Sequence, residues 1–294
     1  AVKDENLSER VLDRRVDELL DVILWTYEFK NYRASFNENE DTNNLVVLEE
    51  RGEFAVDFDE HHELAKKAAR ESIVLLKNEG EILPISKDKK VAVIGQMAHN
   101  PRIQGGGSSI VTPARKCESI IEEISKYDIN MTGFAKGYEE GEAPNSQLEE
   151  EAVELAKDVD AVLLFVGLDD FTESEGFDRE SLDLPDNQTS LIDKICEAND
   201  NVVAVLAGGA PFVMPWVSKV KGIVHGYLSG QAGAGAMLDV LSGKHNPCGK
   251  LAESYPLRLE DVPCYNYYPG KEKDIVYKEG LYVGYRYYVS EGKT

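Results

Sequence analysis

The chain has 294 residues, enough for one large domain or two smaller ones with a real core. Its composition, 42% hydrophobic and 29% charged, is that of an ordinary globular protein. The net charge of −22 repels phosphate backbones and anionic bilayers, so nucleic acid and membrane surfaces are poor partners and a neutral ligand is a good one.

Four widely separated cysteines (Cys117, Cys196, Cys248, Cys264) form no CxxC pair and predict neither a zinc site nor a disulfide framework. Reduced thiols favour a cytoplasmic setting. There is no membrane-length apolar run and no signal-peptide core, although the chain starts abruptly and secretion through a lost leader stays open. His61 and His62 are adjacent on a predicted helix and cannot share a face, while His99, His225 and His245 are isolated. No metal site or cofactor is implied.

From Leu7 to Tyr32, Val11, Leu12, Val16, Leu19, Leu20, Ile23 and Leu24 recur at helical spacing behind a candidate N-cap, Ser8. This amphipathic helix needs something to pack against. Residues 33–58 are polar and acidic and read as a linker. A second helix is predicted from Asp59 to Asn78, stopped by Asn78-Glu79-Gly80.

Four short apolar runs follow: Lys90–Gly95, Ala161–Gly167, Val202–Gly209 and Gly222–Tyr227. Helices are predicted between them near 118–126, 147–158, 187–199 and 231–242. Nearly continuous apolar strands alternating with helices predict an α/β fold, a mainly parallel sheet covered by helices on both faces. Ligands of such sheets sit beyond the carboxyl ends of the strands. Each apolar run ends in a glycine-bearing loop, so chemistry is expected there.

The first of these loops contains Arg102-Ile103-Gln104-Gly105-Gly106-Gly107-Ser108-Ser109. Its glycines allow close approach to a phosphate or to another domain, yet neither GxGxxG spacing nor a Walker lysine is present. The second, residues 169–185, crowds Asp169, Asp170, Glu173, Glu175, Asp178, Glu180 and Asp183 around Arg179. Crowded carboxylates disfavour full ionisation, and partial burial would raise one pKa toward that of a general acid. Arg179 is positioned to hold Asp178 or a glutamate and so fix the loop. On these grounds alone a solvated acidic loop is the favoured reading.

The string TESEGFDRESLDLP resembles the acid/base loop of the β-glucosidase type of glycoside hydrolase family 3. ARESIVLLKNEGEILPI and KVAVIG resemble that family's entry to its second domain, an α/β sandwich. QGGGSSIVTP, GYLSGQAGAGAMLDVLSGKHNPCGKLAESYP and IVYKEGLYVGYRYY are similar to its later tracts, in the family's order. Gln96-Met97-Ala98-His99 and Ala232 depart from the usual pattern outside the acid/base loop.

The resemblance implies a domain plan. Residues 1–32 would be the last helix of a preceding (β/α) barrel, 33–58 the linker, 59–256 the α/β sandwich, and 257–294 an extension toward a fibronectin-like domain. It also implies a retaining, exo-acting β-glycosidase, most simply a β-glucosidase acting on terminal β-D-glucosyl residues. The aspartate nucleophile would lie on the barrel, outside this chain. Glu175 takes the acid/base role, with Glu173 the reserve candidate two residues away. Phe177 lines the aglycone side or anchors the loop. Gln104, Gly105, Gly106, Gly107 and Ser108 contact substrate or barrel, and Asp178 and Arg179 fix the loop. The partners implied are a β-linked glucoside and the barrel, with self-association left open. The competing reading is a non-catalytic carbohydrate-binding or regulatory module of the same fold; a nucleotide sensor is disfavoured by the missing phosphate fingerprint and the charge.

Overall fold

The structure, a computed structural model, describes residues 8–35, 57–113, 117–176, 178–268, 270, 273 and 275–293. The chain divides into two units, 1–57 and 58–294. Of the first, the described part is a helix, α1 (Glu9–Ser35). The carbonyl of Ser8 accepts the Leu12 N–H at 3.2 Å and so starts its first turn. Within this unit Leu12, Val16, Leu19 and Ile23 stand exposed. Most of the expected linker, residues 36–56, lies outside the described residues.

The second unit is built on a six-stranded sheet of β1 (Val74–Asn78), β2 (Lys90–Ile94), β3 (Asn130–Ala135), β4 (Ala161–Gly167), β5 (Val202–Ala207) and β6 (Gly222–His225). The spatial order is β1-β6-β5-β4-β2-β3. All neighbours are parallel except β1, which runs antiparallel along β6. The helices are α2 (Phe58–Ser72), α3 (Ile120–Glu123), α4 (Ser146–Lys157), α5 (Asp186–Ala198), α6 (Gly233–Leu241) and α7 (Tyr285–Ser290). Helix α6 packs with α2 and α3, and α4 packs with α5, giving the sheet two helical coverings. Every residue of β4 is buried, as a central strand between two such layers requires.

Two departures from the sequence reading concern strands. The helix expected over 59–78 ends at Ser72, and residues 74–78 form β1 instead. The Ser72 hydroxyl donates back to the Ala68 carbonyl at 2.8 Å, a bond that competes with continuing the helix. Ile73 and Val74 are β-branched, and the run Ile73–Leu76 is too short for periodicity to separate helix from strand. Strand β3 was not expected at all. It is an edge strand whose Asn130, Thr132 and Gly133 break the apolar run that marks the buried strands.

The winding reverses at β2. From it the chain goes outward to β3, then returns across to β4 and continues through β5 to β6. The crevice between the carboxyl ends of β2 and β4 is therefore the topological switch point of the sheet, where open α/β sheets bind ligands. The loops leaving these two adjacent strands are the glycine-rich loop and the acidic loop.

The burial pattern sets a clear expectation for stability. Leu163→Ala in β4 should lower the unfolding free energy by about 2–5 kcal/mol, whereas Leu257→Ala, at a side chain 73% exposed, should stay within about 0.5 kcal/mol. Urea titrations of the two variants check this, and equal midpoints would contradict the assignment of β4 to the core.

Candidate active site at the strand ends

The two loops meet directly. Gly106 forms a parallel backbone bridge with Ser174. Two residues on, the backbone N–H of Ser108 donates to Oε2 of Glu175 at 2.5 Å. Gly107 makes this approach sterically feasible: its φ is +82°, and a Cβ there would lie 2.6 Å from the Glu175 Cβ and 2.8 Å from Oε2. Gly106 is equally constrained, because its Cβ would meet the Ser174 hydroxyl at 2.5 Å. The glycines of this loop admit a neighbouring loop, not a phosphate.

Glu175 itself is exposed. The Ser108 hydroxyl foremost, and the Ser108 N–H second, hold its carboxyl below the usual carboxylate range. The crowding expected to raise a pKa within residues 169–183 does not do so at Glu175, because the carboxylates are dispersed and separately satisfied. Asp169 is buried and caps its own turn, accepting from the Phe171 N–H at 3.1 Å, the Thr172 N–H at 2.9 Å and the Thr172 hydroxyl at 2.9 Å. Glu140, from the loop after β3, is the carboxyl pushed upward instead, through burial first and then the nearby Asp169 and Asp170 charges.

Glu173 occupies a different environment. Arg102, whose side chain is only 5% exposed, donates from Nη1 to Glu173 Oε2 at 2.5 Å and from Nη2 to the Glu173 carbonyl at 2.6 Å. The same guanidinium reaches the Leu168 carbonyl at 2.8 Å and, from Nε, Asp170 Oδ1 at 3.3 Å. The Gly209 N–H, beyond β5, also donates to Glu173 Oε2, at 3.0 Å. Three loops are thus tied at one carboxylate, and Arg102 is the residue that sequence reasoning missed. The sequence shows an arginine at the head of the glycine loop but not its partner, which lies 71 positions away.

The remaining predicted residues have different surroundings. Gln104 closes its own loop, donating from Nε2 to the Val111 carbonyl at 3.1 Å and accepting the Val111 N–H at 2.9 Å. Gly105 packs against the Ser109 hydroxyl. Arg179 does not pair with Asp178 or a glutamate: its Nη1 donates to the Pro211 carbonyl at 2.7 Å, since Arg102 already neutralises Glu173. Asp178 instead accepts the Tyr268 hydroxyl at 2.9 Å. Phe177 lies outside the described residues.

Beneath these loops His225, at the end of β6, is fully buried. Only an Nδ1–H can donate to the Leu206 carbonyl at 3.3 Å, which leaves Nε2 to accept the Tyr255 hydroxyl at 2.8 Å. Phe212 and Tyr255 stand edge-on to the imidazole. Burial pulls the His225 pKa down to about 4, against smaller upward contributions from the Leu206 carbonyl and Glu173.

The fold defines the class as a doubly wound α/β domain, with the exposed Glu175 carboxylate at its switch point and the Arg102-bound Glu173 carboxylate two residues away. Residues 73–285 match the model of the glycosyl hydrolase family 3 C-terminal domain, and the chain belongs to that family. The thermostable beta-glucosidase B of Acetivibrio thermocellus is 43% identical over 296 residues, covering 99% of this chain and 36% of that protein. The exo-alpha-(1->6)-L-arabinopyranosidase of Bifidobacterium breve is 40% identical, covering 100% of this chain and 38% of that protein. Among solved structures, the family 3 beta-glucosidase of Bifidobacterium adolescentis superposes with a TM-score of 0.78 at 38% identity, covering 100% of this chain and 40% of that one. The chain thus spans little more than a third of the length of these curated relatives.

Burial of neutral His225 predicts a pH dependence. The unfolded imidazole titrates near 6.5. Its contribution is therefore complete above that pH and is lost as pH falls toward about 4. The loss should be on the order of 3 kcal/mol. Unfolding titrations of wild type and His225→Asn from pH 7 to pH 4 should converge as the pH drops, and a constant gap between them would contradict the assignment.

Proposed function

We propose that this chain is the acid/base-bearing part of a retaining, exo-acting β-glycosidase of the β-glucosidase type, with Glu175 as the acid/base and the nucleophilic aspartate on a (β/α) barrel outside the chain. The observation that carries the reading is the contrast between two glutamates. Glu173 is engaged by a buried guanidinium and a backbone N–H, while Glu175 is exposed at the edge of the sheet and held by Ser108 alone, through its hydroxyl and its N–H. A proton shuttle must be free to face substrate and solvent in turn. Glu175 meets that requirement and Glu173 does not.

In the assembled site the two carboxyl groups of a retaining enzyme stand about 5–5.5 Å apart. Glu175 in its acid form gives its proton to the departing glycosidic oxygen as the barrel aspartate attacks the anomeric carbon. The resulting Glu175 carboxylate then takes a proton from the water that releases the sugar. The Ser108 N–H stabilises that carboxylate between the two half-reactions.

Similarity to a β-glucosidase and to an arabinopyranosidase supports a terminal pyranoside with an equatorial glycosidic bond as substrate. A β-D-glucoside is the first choice. Gln104, Gly105, Gly106, Gly107 and Ser108 border the site as a wall of backbone, and the hydroxyl-reading contacts belong to the barrel. The apolar stripe of α1, with Leu12, Val16, Leu19 and Ile23 exposed within its own unit, is in this reading the face that packs on that barrel.

The test uses the chain combined with its barrel. Glu175→Ala should lower kcat on phenyl β-glucoside by about 10²–10⁴-fold; on 2,4-dinitrophenyl β-glucoside, where breakdown of the glycosyl-enzyme limits the variant, azide should restore turnover and yield the β-glycosyl azide. The alkaline limb of the kcat/KM profile should disappear in the variant, because that limb reports ionisation of the acid. Full activity of Glu175→Ala would end the assignment.

A further inference from the structure

Glu175 is the last link in a series of contacts that starts at a buried cation. Arg102 leaves β2's loop four residues before Gly106, and its guanidinium grips the 168–173 segment at the Leu168 carbonyl, the Asp170 carboxylate, and both the carboxylate and the carbonyl of Glu173. Immediately beyond Glu173, Ser174 bridges to Gly106 and Glu175 accepts from Ser108. The turn that carries Glu175 is therefore fastened twice to one loop, once through charge and once through backbone. The charged fastening is the one that cannot slide. Its Arg102 side chain is 5% and its Glu173 side chain 18% exposed, and Gly209 adds a third loop to the same oxygen. The backbone fastening is exposed at Ser108 and rests on a glycine-rich run.

We infer that Arg102 and Glu173 are positioning residues for the reaction: their buried ion pair sets where the Glu175 carboxyl stands relative to the scissile oxygen. The inference rests on the reading of Glu175 as the acid/base. Neither residue touches substrate, and neither exchanges a proton. Glu173, despite lying two residues from Glu175, is an anchor whose charge must stay fixed while that of Glu175 alternates. The pairing explains why a loop this acidic needs one arginine from a neighbouring strand end and why Arg179, within the loop, is left to hold Pro211.

The experiment compares Glu173→Gln, which keeps size and one acceptor oxygen but removes the charge, with Arg102→Lys, which keeps the charge but cannot span four contacts. Each is measured in the chain combined with its barrel, beside Glu175→Ala, on two substrates. Phenyl β-glucoside needs a proton on its leaving oxygen; 2,4-dinitrophenyl β-glucoside departs without one. Both positioning variants should lose about 10²-fold in kcat/KM on the phenyl substrate and less than about 3-fold on the dinitrophenyl substrate. On the latter, kcat and KM should fall together as the glycosyl-enzyme accumulates. Azide should accelerate Glu175→Ala and leave Glu173→Gln unchanged. Equal losses on both substrates, no loss on either, or failure of both variants to fold would assign the pair to stability alone and overturn the inference, with Glu175 still standing as acid/base. Azide rescue of Glu173→Gln in the absence of rescue at Glu175→Ala would instead overturn the acid/base assignment itself.

Discussion

A parallel sheet enclosed by helices on both faces has no room for charge along its strands. In β4 all seven residues are buried, and in β5 five of six. Any ionised group there would lose its hydration with nothing to replace it. Polar chemistry is consequently displaced to the strand ends, and the switch in winding at β2 determines which ends come together. The loops after β2 and β4 leave adjacent strands in the same direction, so a glycine-rich segment and an acidic segment far apart in sequence share one edge. The position of the site follows from the sheet order before any individual side chain is considered.

An acidic loop at such an edge carries its own difficulty. Carboxylates packed against a hydrophobic sheet repel one another and are poorly solvated on the inner side. The loop resolves this by giving each inner carboxylate a dedicated partner. Asp169 turns onto the N–H groups of its own turn, and Glu173 is met by Arg102 and the Gly209 N–H. Removing either partner of the buried pair would leave an uncompensated charge, which makes the pair a rigid feature whatever its net contribution to stability. The outer carboxylates, Asp170, Glu175, Asp178, Glu180 and Asp183, stand exposed to solvent.

The central strands were legible in the sequence because burial on both faces writes an uninterrupted apolar run, as in Ala161–Gly167. The edges were not. At β1 the strand's identity depends on pairing with β6, a contact remote in sequence, and a preceding helix supplied a misleading period. At β3 half-exposure diluted the apolar signal. The same division holds at the site. The two loops were readable because glycine runs and carboxylate clusters are local features, whereas Glu175 was singled out within its loop only by the family resemblance of TESEGFDRESLDLP. The Arg102–Glu173 pair spans 71 positions and was not readable. Arg179 illustrates the converse, since proximity in sequence suggested Asp178 as its partner while the fold gave that carboxylate to Tyr268.

The electrostatics of Glu175 bear on both half-reactions of the proposed mechanism. Within this chain its carboxyl is exposed and is held below the ordinary range by Ser108, a state suited to the base of the second half-reaction. The acid of the first half-reaction needs the opposite displacement. On the proposed mechanism two changes would supply it if a barrel closed over the sheet edge: exclusion of water, which penalises the charged form, and a second carboxylate about 5–5.5 Å away, which does the same by repulsion. Once the nucleophile has become a neutral ester, that repulsion vanishes and the Ser108 contact again dominates. On the proposed mechanism the acid form therefore belongs to the assembled enzyme and the base form to the domain itself, where the Ser108 hydroxyl and N–H hold the carboxylate state to which Glu175 returns after protonating the leaving group.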